Sequence, residues 1–107
     1  MHGLLEGKVA LITGAGSGVG RAAVKLWAAN GAKVIAADIN LPSAEESVAL
    51  AGAPQGQIKA AACNVADKAS VDAAVRLAVE TFGRLDVIYN NAGITVSSLP
   101  DGKGLRP

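Results

Sequence analysis

The feature that most limits what this chain can become is a short apolar run broken by a burst of glycines. Lys8 to Thr13 reads KVALIT, and Gly14, Gly16, Gly18 and Gly20 follow directly. An almost continuous apolar run of this length is the pattern of a strand buried on both faces. Arg21 to Ala28 then reads as a helix, and Asn30-Gly31 ends it with residues that tolerate the left-handed conformation. Lys33 to Asp38, KVIAAD, is a second buried run. A strand, a glycine turn, a helix and a second strand pack together in few ways. The two strands pair in parallel, and the helix forms a right-handed crossover between them.

The pattern repeats along the chain with less force. Asn40 to Ser43 is a turn in which Pro42 favours a helix start, and a second helix is expected over Ser43 to Leu50, with Glu45 and Glu46 on its polar face. Gln57 to Cys63, QIKAAAC, is a weaker third strand. Its alanines would also suit a helix, but Gly56 before it and Asn64 after it leave too little length. Asp67 is a candidate N-cap for a third helix that runs to about Phe82, with Gly83 just beyond. Val71, Ala74, Val75, Ala78 and Phe82 lie at helical spacing and form its apolar stripe. On another face, Lys68, Asp72, Arg76 and Glu80 alternate in charge at steps of four, a ladder worth about 0.2–0.5 kcal/mol per pair and structural in purpose. Asp86 to Tyr89, DVIY, is a fourth strand leading into Asn90-Asn91-Ala92-Gly93. The order is β-α-β-α-β-α-β in a single domain spanning 1–107, whose final stretch, 94–107, reads as loop.

Half of the 107 residues are hydrophobic but only 3% are aromatic, so the core must be built from Ala, Val, Leu and Ile. Such side chains let helices lie close on a parallel sheet. Net charge is +1 and the basic residues are scattered, which argues against a nucleic-acid partner. Cys63 and His2 are the only residues of their kinds, so neither an internal disulfide nor a zinc site is expected. No apolar run approaches membrane-spanning length, and Met1 to Leu5 lacks the form of a secretory signal. A cytoplasmic location, with no membrane partner, is the expectation.

The glycine loop carries the chemistry. A phosphate is held by backbone amides and the positive end of a helix dipole. Glycine allows both the turn and the close approach. Thr13 and Ser17 add hydroxyls near the same turn. An ordinary glycine-rich turn would explain the glycines alone, but not a strand before them, a helix after them and an acid after the next strand. That acid is Asp38, 18 residues after Gly20. It stands close to the spacing of about 20 expected for a carboxylate that accepts from both hydroxyls of an adenosine ribose. A carboxylate there repels a 2′-phosphate. Ile39 and the stretch Ala15 to Ser17 offer no positive charge, so NAD is favoured over NADP. A triphosphate-binding P-loop needs Lys-Ser or Lys-Thr after its last glycine, and Arg21-Ala22 stands there instead. Asn64, past the third strand with Val65 beside it, fits two roles equally: acceptor for the adenine amino group, or strand-end turn residue.

Three motifs together resemble the N-terminal cofactor-binding part of the short-chain dehydrogenase/reductase family. They are T-G-x-x-x-G-x-G (Thr13, Gly14, Gly18 and Gly20), Asp38 after the second strand, and N-N-A-G (Asn90, Asn91, Ala92 and Gly93) after the fourth. The likeness spans Leu4 to Ser98. It implies an α/β fold of the Rossmann type, a doubly wound parallel sheet that is incomplete here, with about four strands in the order 3-2-1-4 and three helices. It implies hydride transfer between NAD(H) and a small-molecule alcohol or carbonyl substrate. It also extends the cofactor set: Val19 within the loop, Ile39 beside Asp38, Asn64 and Val65, and Asn90, Ala92 and Gly93, which border the cofactor while Asn90 steadies the sheet. Asn64 stands where the family usually has aspartate.

The same likeness shows what is missing. The family's chemistry uses a Ser, a Tyr and a Lys four residues after that Tyr, all in the second half of its fold. The one tyrosine here is Tyr89, followed four residues later by Gly93, and it reads as core. Ser97 and Ser98 come too early in the fold. No catalytic residue carries over, and the chain is expected to be a cofactor-binding fragment or truncation. Read as a separate chain, it is expected to be of low stability, because the fourth strand has an open edge and one sheet face is thinly covered. Both features invite aggregation or association, including with copies of itself. A non-enzymatic dinucleotide-binding module and a remnant that binds nothing are the competing expectations.

Overall fold

The structure, a computed structural model, describes residues 3–91. Its elements are β1 (Val9–Thr13), α1 (Gly18–Ala29), β2 (Lys33–Asp38), α2 (Leu41–Ala51), β3 (Ile58–Ala62), α3 (Lys68–Phe82) and β4 (Val87–Asn90). They form one parallel sheet in the order β3-β2-β1-β4. This is the expected topology, and its cause is the apolar content of the two central strands. All five residues of β1 are buried, as are Val34 to Ala37 of β2.

The pleat sorts these side chains into two cores. Ala10, Ile12, Val34 and Ala36 face α1 and α2, where Val24, Ala28 and Ala23 meet them. Val9, Leu11, Ile35 and Ala37 face α3, where Ala74 and Ala78 are buried and Val71, Val75 and Phe82 pack partly. The predicted stripe of α3 is therefore the face that docks. Its ends follow the sequence as well: the Asp67 carboxylate accepts from Ala69 N, and Gly83 closes the helix at φ 87°. Of the charge ladder, Lys68 and Asp72 form an exposed pair at 2.9 Å.

Two helix starts differ from the sequence reading. α1 begins at Gly18 rather than Arg21, so the later glycines of the loop belong to its first turn. A first turn lacks intrahelical acceptors for its amides, and a glycine there leaves those amides open to a ligand. α2 begins at Leu41 rather than Ser43 because Asn40 is a working N-cap: its side chain accepts from Ser43 N at 3.2 Å. The expected turn at Asn40 to Ser43 is thus a cap and first turn.

Tyr89, expected in the core, is half-buried and packs against its edge. Its ring stacks on Trp27 of α1 with centroids 5.5 Å apart and planes within 7°. β4 is otherwise open. Val87 is 38% and Ile88 51% exposed, and among the described residues the strand pairs with β1 alone. The expected loop over 94–107 lies outside the described residues.

Candidate dinucleotide site

The site lies at the carboxyl ends of the strands. From β1 the chain winds outward through β2 to β3, then returns across the sheet to β4. The point where the direction reverses is where ligands settle in open parallel sheets. The glycine loop sits there, directly after β1.

Two glycines of the loop have separate jobs. A Cβ on Gly20 would stand 1.9 Å from the Gly14 carbonyl oxygen, so only a bare α-carbon lets α1 approach the end of β1 this closely. Gly18 turns the chain into the helix at φ 56°, and a Cβ there would meet nothing within 4 Å. Open space above the first turn of a helix is the cradle that a phosphate requires. Ser17, the N-cap of α1, is exposed, and its side chain makes no cap hydrogen bond. Val19 is 62% exposed, an apolar side chain held out from the first turn.

Asp38 is brought to this loop. Its Oδ2 accepts from Gly16 N at 2.8 Å and its Oδ1 accepts from Asn40 N at 2.9 Å. A carboxylate has about four acceptor positions, so each oxygen keeps capacity for a further donor. A cleft of about 180 Å³ opens beside it, lined by Gly14, Asp38, Ile39, Cys63, Asn64 and Val65. Ile39 is 72% exposed at its rim. A larger hollow of about 490 Å³ lies at the opposite ends of the strands, near Glu6, Lys33 and Gln57. Size does not choose between them. The Asp38 carboxylate, the first glycine of the loop and the ends of β1, β2 and β3 belong to the smaller cleft.

Two residues expected near the ligand turn out to have structural partners. The Thr13 hydroxyl is buried, donates to Asn90 Oδ1 at 2.8 Å and accepts from Asn91 N at 3.1 Å. It ties the end of β1 to the end of β4 instead of facing the cleft, because both strand ends would otherwise leave polar groups unsatisfied. Asn90 thereby holds the sheet together, as expected of it. Asn64 makes turn contacts, its Oδ1 accepting from Ala66 N at 3.0 Å and its backbone amide donating to Ser70 Oγ, and it also lines the cleft. Ala92 and Gly93 lie outside the described residues.

One group was not foreseen. Arg21 donates to the Gly16 carbonyl, to Ser47 Oγ and to Glu46 on α2. The available signal was a serine on the apolar stripe of α2, at a position that packing buries completely. Away from the cleft, the Arg84 guanidinium holds the Asp86 carboxyl below the usual carboxylate range, helped by a hydrogen bond from Val9 N at 2.8 Å. The pair fixes the start of β4 against β1.

Known proteins resemble this chain in sequence and fold. The model of the short chain dehydrogenase family matches residues 8–103. A D-threitol dehydrogenase of Mycolicibacterium smegmatis is 46% identical over 90 residues, which are 84% of this chain and 35% of that protein. The crystal structure of a short chain dehydrogenase from Mycobacterium avium superposes with a TM-score of 0.78 at 41% identity, covering 87% of this chain and 35% of that one. The 3-ketoacyl-(acyl-carrier-protein) reductase from Brucella melitensis, solved in complex with NADH, superposes with a TM-score of 0.72 at 44% identity, over 78% of this chain and 34% of that one. The chain thus spans about a third of the length of the relatives it matches. With the glycine loop, the acid after β2 and the paired asparagines in these places, the chain belongs to the short-chain dehydrogenase family.

Proposed function

We propose that the chain supplies the cofactor-binding half of an NAD-dependent oxidoreductase that interconverts an alcohol and a carbonyl compound. The observation that carries this is the hydrogen bond from Gly16 N to Asp38, which fastens the ribose-binding acid to the phosphate-binding loop before any ligand arrives. In this reading the amides of the first turn of α1, from Ser17 to Gly20, take the pyrophosphate. Asp38 accepts from the adenosine ribose and disfavours a 2′-phosphate, with Ile39 offering no compensating charge. Ile39, Asn64 and Val65 border the adenine. Asn90, Ala92 and Gly93 border the cofactor beyond β4. Bound NAD would supply the hydride acceptor. The chain's own residues bind it and orient it.

In this reading no side chain among the described residues is assigned the proton-transfer step, since Tyr89 is half-buried and stacked on Trp27. That observation favours a second reading, in which the chain binds dinucleotide without turnover. The open β4 edge suits either completion by further chain or association with a second copy. The test is a fluorescence titration of the 107-residue chain with NADH and with NADPH. The expected result is saturable NADH binding, at least tenfold weaker NADPH binding, and an Asp38→Ala variant that loses about tenfold in NADH affinity, ~1.4 kcal/mol. Equal affinities for the two cofactors, or an Asp38→Ala chain that binds NADH as well as the parent, would remove the proposed ribose contact.

A further inference from the structure

We infer that Arg21, acting through Ser47 and the loop carbonyls, is a positioning residue that sets the peptide orientation of the glycine loop for the pyrophosphate. The inference rests on the dinucleotide reading above. Arg21 Nε donates to Ser47 Oγ at 2.8 Å. One of its terminal nitrogens donates to the Gly16 carbonyl at 2.6 Å, to Glu46 Oε1 at 2.8 Å and, less closely, to the Ser43 carbonyl at 3.4 Å. Ser47 Oγ in turn donates to the Ala15 carbonyl at 2.6 Å. Two successive loop carbonyls, Ala15 and Gly16, are therefore held by donors that α2 carries or anchors.

Peptide planarity converts this into an orientation for the amides. In a trans peptide the carbonyl and the following N–H point in opposite directions, and the described residues contain no cis bond. With the Ala15 carbonyl drawn to Ser47, Gly16 N–H faces the other way, where Asp38 Oδ2 accepts it at 2.8 Å. With the Gly16 carbonyl drawn to Arg21, Ser17 N–H points away from the guanidinium. Left alone, this loop would have little preference. Gly14, Gly16 and Gly18 each accept either sign of φ, and a flipped peptide would turn a carbonyl oxygen toward the phosphate. The restraint must come from outside the loop, and this side-chain chain supplies it.

The geometry also separates positioning from attraction of the phosphate by charge. Glu46 sits 2.8 Å from the guanidinium and neutralises it. The contacts use the planar fork of donors, which reaches Ser47, Gly16 and Glu46 together, and a lysine ammonium is a point charge that does not reproduce it. Lysine should therefore fail at this position although it preserves the charge.

The experiment uses Arg21→Lys and Ser47→Ala in the 107-residue chain, with two readouts. The first compares NADH with adenosine, which lacks phosphate. Both variants should lose about tenfold in NADH affinity while adenosine affinity stays within about twofold. The second follows amide hydrogen exchange without ligand. The Gly16 amide should exchange about tenfold faster in both variants, while the amides of Leu11 and Ile35 keep their protection. An unchanged Gly16 amide, a lysine variant that binds NADH normally, or parallel losses of NADH and adenosine would each overturn the inference. A parent chain that takes up no NADH refutes the dinucleotide reading instead, and the exchange measurement still decides whether Arg21 and Ser47 set the loop.

Discussion

Replacing Gly20 with alanine tests whether the loop glycines are there for close packing or for chain flexibility. The added methyl would stand 1.9 Å from the Gly14 carbonyl oxygen, 2.7 Å from the Gly14 carbonyl carbon and 3.0 Å from Asn91 Nδ2. The nearest atoms are backbone, so no side-chain rotation relieves the contact. To restore ordinary separation, α1 must retreat from β1 by roughly 1.5 Å, and overpacking of this kind costs about 1–3 kcal/mol. Alanine is the better helix former by about 0.8–1.0 kcal/mol in a helix interior, but in a first turn that gain is smaller. The net expectation is a loss of about 2 kcal/mol, or a melting temperature lower by about 8–16 °C for a chain of this size. Urea unfolding followed by Trp27 emission suits the question, because Trp27 lies on α1 and stacks on Tyr89 of β4. Gly18→Ala is the companion. It meets nothing within 4 Å, and its cost comes from φ 56° alone, about 1–2 kcal/mol. Asparagine, which tolerates that conformation, should recover part of the loss at position 18 and none at position 20. A Gly20→Ala chain with an unchanged urea midpoint would refute the argument that α1 is seated by close approach.

Other consequences can be checked on the same chain. Thr13→Val keeps the shape but removes a buried hydroxyl that serves Asn90 and Asn91, and it should cost about 1–2 kcal/mol in urea titration. Asp86 has its folded-state pKa lowered, mainly by Arg84, so its contribution is present above the usual carboxylate value of about 3.9 and is lost as pH falls through the lower folded value. The parent chain should therefore lose stability with acid more steeply than Asp86→Asn between about pH 5 and pH 3, and equal slopes would show that the pair contributes nothing. Ile88→Lys places charge on an exposed position of β4, an edge strand among the described residues, and should reduce concentration-dependent association in light scattering. Unchanged scattering would mean that the β4 edge is not the adhesive surface.

The sequence made the sheet legible because KVALIT and KVIAAD are too apolar to be anything but central strands, and glycine and proline punctuate the segments between. It made Asp38 legible because spacing along the chain translates directly into a place at the next strand end. The start of α1 was not legible. Glycines read as loop, yet here they build the first turn, where amides lack intrahelical partners. The partners of Thr13 were hidden for a related reason: nothing beside the phosphate loop announces that the fourth strand brings Asn90 and Asn91 to its hydroxyl. The Arg21–Ser47 connection was hidden because it joins residues 26 apart, and nothing in periodicity specifies which α2 side chain meets which α1 side chain.

The two ends of the sheet have unequal degrees of closure, and this bears on what the chain can do. Each part of the proposed cleft within the described residues comes from the ends of β1, β2 and β3 or from the start of α1, and the strands that hold the loop and Asp38, β1 and β2, are the most buried. β4 contributes mainly by bonding its terminal asparagines to Thr13 and by offering Tyr89 to Trp27. Among the described residues, none of β4 lines the cleft. Dinucleotide recognition should therefore depend weakly on what covers β4, whereas stability and association should depend on it strongly, since Val87 and Ile88 are the exposed apolar residues of that strand. A ligand that binds only the folded chain raises stability by RT ln(1 + [L]/Kd), about 2.7 kcal/mol at a hundredfold excess over Kd. If the proposed site binds as argued, that linkage would make the dinucleotide part of what holds the fold together as well as its cargo.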